Sequence, residues 1–187
     1  MTQISNILEI APTEDLSKYL GVPAVTGQVT RVMFQHIIDR VEKRLLGWKT
    51  KCLSLAGRAT LIQSTISSIL AYSMQTMRLP RSVCDNIDPK TRTFLGGTSI
   101  ERRPHLVTWD TVTRPKEFGG LGLRDMRQLN SASMSKFGWR TLTESESLWT
   151  RVLRHKYCKG RCDMNMFNAK SDASSTWKGI SENAHVI

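Results

Sequence analysis

The feature that most constrains the fold is a run of apolar residues at Phe34, Ile37, Ile38, Val41, Leu45 and Trp48. Three- and four-residue spacing puts them on one stripe of an α-helix, and such a stripe has to be buried against other elements. Thr30 stands where an N-cap belongs, with a hydroxyl able to accept from a free N–H of the first turn. The opposite face carries Arg40, Lys43 and Arg44. Gly47 weakens the helix end, and Trp48-Lys49-Thr50-Lys51 turns a corner into a second helical pattern that starts at Ser54 or Gly57. There Leu55, Ala59, Ile62, Ile66, Ile69 and Ser73 line one face, while Leu61, Leu70 and Met74 widen it. Breadth of that kind predicts a helix buried around much of its circumference.

Leu79-Pro80 stops the second helix, because proline lacks an N–H and biases its predecessor away from the helical region. A third helix is expected over 82–95, with Val83, Ile87 and Phe94 in the core, although Pro89 falls inside it. Gly96-Gly97 ends it, and Thr108 opens a single capped turn. Residues 116–123 hold too many glycines for a helix; Leu121 and Leu123 are expected to pair briefly as a strand. Asp125 caps a helix through Met126, Leu129, Met134, Phe137, Trp139 and Leu142, and 146–157 forms another. Beyond Cys158 the chain is polar and aperiodic until Trp177 and Ile180. Near the start, Ile4, Ile7 and Leu8 give a short helical pattern, and 18–24 reads as a short strand closed by Gly21 and Pro23. The expected fold class is mostly α with a minor β component (α+β). The expected divisions are 1–29 with the short strand, 30–97 as a helical unit, 98–158 as a helical extension with the glycine-rich turn, and 159–187 as a poorly ordered tail.

Charge narrows the partner. Lysine and arginine number 27 against 16 aspartates and glutamates, a net +11 with an isoelectric point near 9.9. Residues 1–30 hold Lys18 against Glu9, Glu14 and Asp15, so the excess lies entirely in the rest of the chain. A polyanion, nucleic acid foremost, suits this distribution. The apolar stretch 61–79 is broken by Gln63, Ser64, Thr65, Gln75 and Arg78, among others, and is a poor membrane span. No secretion signal is legible at the start, so Cys52, Cys84, Cys158 and Cys162 are expected to be reduced thiols inside a cell. His155-x-x-Cys158-x-x-x-Cys162 falls short of the four tightly paired ligands of structural zinc. The run Gly119-Gly120-Leu121-Gly122 lacks the Lys-Ser/Thr of a phosphate loop. No Gly-x-Ser-x-Gly occurs, and no Asp-Asp pair is present to hold two metal ions for phosphoryl transfer. Neither a metal nor a cofactor is expected, and the chain as it stands is not expected to be an enzyme.

The residues best placed to meet phosphates are those at the corner: Lys43, Arg44, Lys49, Lys51 and Arg58, with Arg40 beside them and Glu42 opposing. Two helices meeting there put several cations on one rim, where each phosphate contact releases counterions.

The order of motifs carries a resemblance. Lys18-Tyr19-Leu20-Gly21-Val22-Pro23 is followed by Gly47-Trp48-Lys49, then by Ser54-x-x-Gly57-Arg58-x-x-Leu61-Ile62. Tyr72-Ser73-Met74-Gln75, Leu79-Pro80, Pro115-Lys116-x-x-Gly119-Gly120-Leu121-Gly122-Leu123 and Gly138-Trp139-Arg140 come after. In this order the chain resembles the polyproteins of plant LINE-type (non-LTR) retrotransposons, in the part following the reverse-transcriptase palm. The resemblance covers residues 4–160. It implies a palm-edge strand, a helical thumb-like bundle and an extension, with Lys49, Lys51 and Arg58 facing a template–primer duplex, RNA–DNA or DNA. It further implies a catalytic palm elsewhere, in the same protein or in trans, and a nuclear setting. A second reading is a protein-interaction module or a non-functional retroelement-derived reading frame, with Tyr19, Leu20 and Val22 exposed where the palm would pack.

Overall fold

A computed structural model of the chain describes residues 18–19, 22–23, 29–48, 52–97, 107–158 and 167–186. The architecture is mostly helical, as expected. A 3₁₀ turn Arg31–Phe34 leads into α1, Gln35–Gly47. Thr30 is extended at the head of that turn but caps it with no side-chain hydrogen bond. The apolar stripe packs as the spacing requires, with Phe34, Ile37, Ile38, Val41 and Leu45 buried. Trp48 leaves the helix and tilts against Phe94, ring centroids 5.2 Å apart.

Helix α2, Leu55–Leu61, is capped by the Ser54 hydroxyl, which accepts from the Gly57 N–H at 3.2 Å. It runs through one wider π turn, Ile62–Ile66, into α3, Ser67–Met74. The stripe that is buried, Ile62, Ile66, Leu70 and Met74, is spaced strictly by four. A π turn mixed with ordinary turns holds residues four apart in line; Leu55, the first residue of α2, is 49% exposed.

Helix α4, Arg81–Gly96, passes through Pro89 without ending there. Val83, Cys84, Ile87, Thr91, Phe94 and Leu95 are all buried along it, and that packing outweighs the cost of one lost backbone bond. Gly97 closes α4 in the left-handed conformation at φ 70°.

The glycine-rich run forms no strand. After α5, Trp109–Thr113, a 3₁₀ turn covers Lys116–Phe118. Leu121 N–H then donates to the Val112 carbonyl at 3.0 Å and Gly122 N–H to the Arg114 carbonyl at 2.9 Å. A Cβ on Gly120 would overlap the Arg114 carbonyl, so only glycine fits this close approach.

Helix α6, Met126–Thr143, is the long central element, in contact with α3 and α4 on one side and with the C-terminal helices on the other. Asp125 caps it, accepting from Gln128 N–H at 2.9 Å. Its buried Asn130 clamps both backbone groups of Leu79: the Leu79 N–H donates to Oδ1 at 3.2 Å, and Nδ2 donates to the Leu79 carbonyl at 2.9 Å. Helix α7, Leu148–Leu153, runs into a second π turn, Arg154–Cys158. The last helix, α8, is Ser175–Glu182.

Two clusters make the interior. The larger extends from Phe34 to Met126 and is aliphatic for the most part. The smaller gathers Cys158, Phe167, Trp177 and Ile180. Trp139 of α6 is 56% exposed.

The expected minor β component is not part of this architecture. Lys18–Tyr19 and Val22–Pro23 pair antiparallel over two residues each, Lys18 opposite Pro23 and Tyr19 opposite Val22. So short a pairing supplies no sheet layer on which helices could pack. Apart from that pairing, the regular structure among the described residues is helical. The expected N-terminal helical pattern and residues 159–166 of the expected tail lie outside the described residues. Beyond them, α8 buries Trp177 and Ile180.

Candidate nucleic-acid interface

The basic face of α1 is exposed as the spacing implies. Arg40, Lys43, Arg44, Gly47 and Trp48 together line a shallow hollow of about 500 Å³. Its end wall is fixed, because Trp48 leans on Phe94. Nothing stands within 4 Å of the position a Cβ would take on Gly47, which leaves that side open.

The carboxylates of α1 are turned elsewhere. Glu42 faces Lys90 of α4 at 3.3 Å, and Asp39 accepts from the Gln35 amide at 2.9 Å. Among the described residues no ion pair joins Arg40, Lys43 or Arg44 to a carboxylate. Lys43 and Arg44 also stand near the C-terminal end of α1, where a cation complements the helix macrodipole. Helix stability and phosphate binding therefore favour the same residue types there.

Arg58 is placed differently. Its guanidinium lies over Gly97, against the C-terminal end of α4, and its Nε is buried without a hydrogen-bond partner. A cation in the first turn of its own helix opposes that helix's dipole, but the carbonyl end of α4 attracts it. It does not line the hollow beside Lys43 and Arg44. Lys49 and Lys51 lie outside the described residues.

The acidic residues of α4 are structural. Asp85 meets Arg127 of α6 at 2.5 Å, and this hydrogen bond holds its carboxyl below the ordinary value. Asp88 accepts from the Met126 N–H at 3.4 Å, at the start of α6. Burial first, then the Asp125 carboxylate, push Asp88 up to about 7, against the pull of the Met126 hydrogen bond. Cys84 beside them donates to the Met126 carbonyl at 3.7 Å, and burial with the Asp88 charge pushes its thiol up to about 12. A thiol so raised is a poor nucleophile. Among the described residues no group of three His, Cys, Asp or Glu side chains is arranged to hold a metal ion. No helix among them is long and apolar enough to cross a membrane.

The sequence reading missed a second basic surface. Gln128, Ala132, Lys136 and Arg140 succeed one another by four along α6 and line a cleft of about 860 Å³ with Arg124 and with Gln75, the residue just past α3. The four-residue spacing of small, amide and basic side chains was the available signal. It was masked because Leu129, Met134 and Phe137 dominate the apolar pattern of the same helix.

No family model matches the chain. It is 42% identical over 161 residues to an Arabidopsis thaliana protein described as a "putative ribonuclease H protein"; the match takes in 85% of this chain and 26% of that relative. It is 30% identical over 88 residues to an uncharacterised mitochondrial protein of Arabidopsis thaliana, over 46% of this chain and 57% of the relative. The chain thus spans about a quarter of the first relative and little more than half of the second.

The first match overturns the assignment to a LINE-type reverse-transcriptase thumb. A similarity that takes in most of the chain points to a protein described as a ribonuclease H, not to a polymerase thumb. The physical reason is in the motifs themselves. Gly47-Trp48, Leu79-Pro80 and Gly119-Gly120-Leu121-Gly122 specify a corner, a stop and a turn. Such residues identify a folded segment and say nothing of the catalytic domain to which it is joined.

Proposed function

We propose that this chain is a nucleic-acid-binding helical segment of a larger retroelement-type protein, and that the chemistry resides in another part of that protein. The observation that carries the reading is the α1 face. Arg40, Lys43 and Arg44 project around one hollow, with both carboxylates of the helix turned to other partners. The net +11 of the chain supports the same kind of partner. A longer relative described as a ribonuclease H makes an RNA-containing duplex the fitting ligand. Contacts of this type hold the backbone and leave the base sequence unread. In this reading Arg58 supports the α1 face indirectly, through the end of α4.

The test is a titration of fluorescent RNA–DNA hybrid with wild type and with R40A/K43A/R44A, across a range of salt concentrations. Each phosphate contact on a duplex contributes about 0.9 to the slope of log affinity against log salt, so loss of three lowers it by about 2.7. A triple variant whose slope matches wild type would show that these cations serve the dipole of α1 and not a ligand.

A further inference from the structure

We infer that the cleft between α3, the glycine-rich turn and α6 is a seat for a single strand of nucleic acid, separate from the α1 face. Arg124 stands just ahead of α6 and Lys136 nearly three turns into it; both are exposed, and no ion pair engages either among the described residues. From Met126 to Lys136 the helix rises about 15 Å at about 1.5 Å per residue, enough to contact two phosphates that are not adjacent. Between them, Gln75 and Gln128 offer amide donors, and Ala132 keeps the α6 wall low.

Of the carboxylates Asp125 and Glu144 near the cleft, the first keeps its charge at the head of α6 and the second is paired. Asp125, the carboxylate in its lining, accepts from the Gln128 N–H as the cap of α6. Glu144 is held by both Nε and Nη2 of Arg140, at 2.7 and 2.8 Å. Arg124 and Lys136 are then the cations of the lining that no ion pair holds among the described residues.

The cleft has a volume of about 860 Å³, room for a few nucleotides of one strand. Half-buried Phe137 also lines the cleft, held in an edge-on contact with Trp149 at 5.5 Å. An aromatic ring beside a basic track is the arrangement on which unpaired bases stack. The surface is distinct from the α1 face, and this inference stands whether or not that face binds duplex.

The experiment measures binding of a labelled single-stranded RNA 12-mer by anisotropy, with the hybrid duplex in parallel, for wild type, R124E/K136E and R40A/K43A/R44A. The expected result is a loss of at least tenfold in single-strand affinity at low salt for R124E/K136E, with duplex affinity changed less than twofold. Its neutral counterpart R124Q/K136Q keeps the inference open to refutation if charge reversal unfolds the chain. That variant should lower the single-strand salt slope by about 1.4, at about 0.7 per phosphate. Single-strand affinity within twofold of wild type in the folded variant overturns the inference. So does displacement of the RNA by a polyglutamate peptide at equal charge concentration, which would assign the cleft to an acidic polypeptide. Loss of single-strand binding in the α1 variant alone would place both ligands on that face and likewise overturn it.

Discussion

The two halves of this molecule are stabilised in different ways. From α1 to α4 the interior is aliphatic: Ile37, Ile38, Val41, Ile62, Ile66, Leu70, Val83 and Ile87 pack as crossing stripes, with large area and no special geometry. Around α8 the interior is small and aromatic. Tyr157 stacks on Trp177 at 4.5 Å with planes 8° apart, and Phe167 approaches the same indole at 5.7 Å. The second half is also tied by polar contacts. Arg78 grips Glu182 through both guanidinium amino groups, and Ser174 N–H donates to the Tyr157 hydroxyl at 3.1 Å. A broad aliphatic core degrades gradually on substitution, whereas a cluster centred on one indole depends on it. Helix α6 belongs to both, through Met126 in the first and Phe137 against the second.

This contrast breaks most readily at Trp177. Trp177→Ala should cost about 3–5 kcal/mol, the range for truncating a buried aromatic. Amide exchange is expected to lose protection in Ser175–Glu182 and Leu148–Leu153 while α1 keeps its own. Equal loss in α1 would mean that the halves unfold as one cooperative unit.

Asn130 probes the first half from the shared helix. Asn130→Ala leaves the buried N–H and carbonyl of Leu79 without their partners, at a cost of about 2–3 kcal/mol. Denaturant titration followed at Trp48 and Trp109 should show the lowered midpoint. A loss below about 0.5 kcal/mol would mean that water replaces the clamp.

The remaining effect concerns Asp88, and it depends on pH. Its carboxyl holds a proton up to about 7 in the folded protein, against 3.8 ordinarily. Between those values the native state binds more protons than the unfolded one, so stability falls as pH rises through the window. Asp88→Asn removes this dependence. The melting temperature of the variant should therefore change less than wild type between pH 4 and 8, and be the higher of the two at pH 8. Parallel pH profiles would contradict a buried, proton-holding Asp88.

Much of the fold was legible because helix formation is a local matter. The α1 stripe from Phe34 to Leu45, the stop at Pro80, the Asp125 cap and the exclusion of a helix from the glycine-rich run all follow from residues a few positions apart. Local pattern also marked Arg40, Lys43 and Arg44 as one exposed face. The same pattern does not say which side of a helix finds a neighbour, and Trp139 on α6 stays exposed. It also drew a strand where two residues pair, and read a thumb from motifs that encode turns.

What lay in the chain by itself was where helices start, stop and turn their apolar sides, because hydrogen bonds four residues apart and steric limits on glycine and proline act within reach of each residue. Tertiary structure alone decided that Asn130 would hold Leu79, 51 positions away, that Arg58 would settle on the carbonyl end of α4, and that Arg124 and Lys136 would share one cleft. Those outcomes depend on which surfaces meet. They are set by the packing of whole helices, where burial and long-range charge act between residues that local order keeps apart.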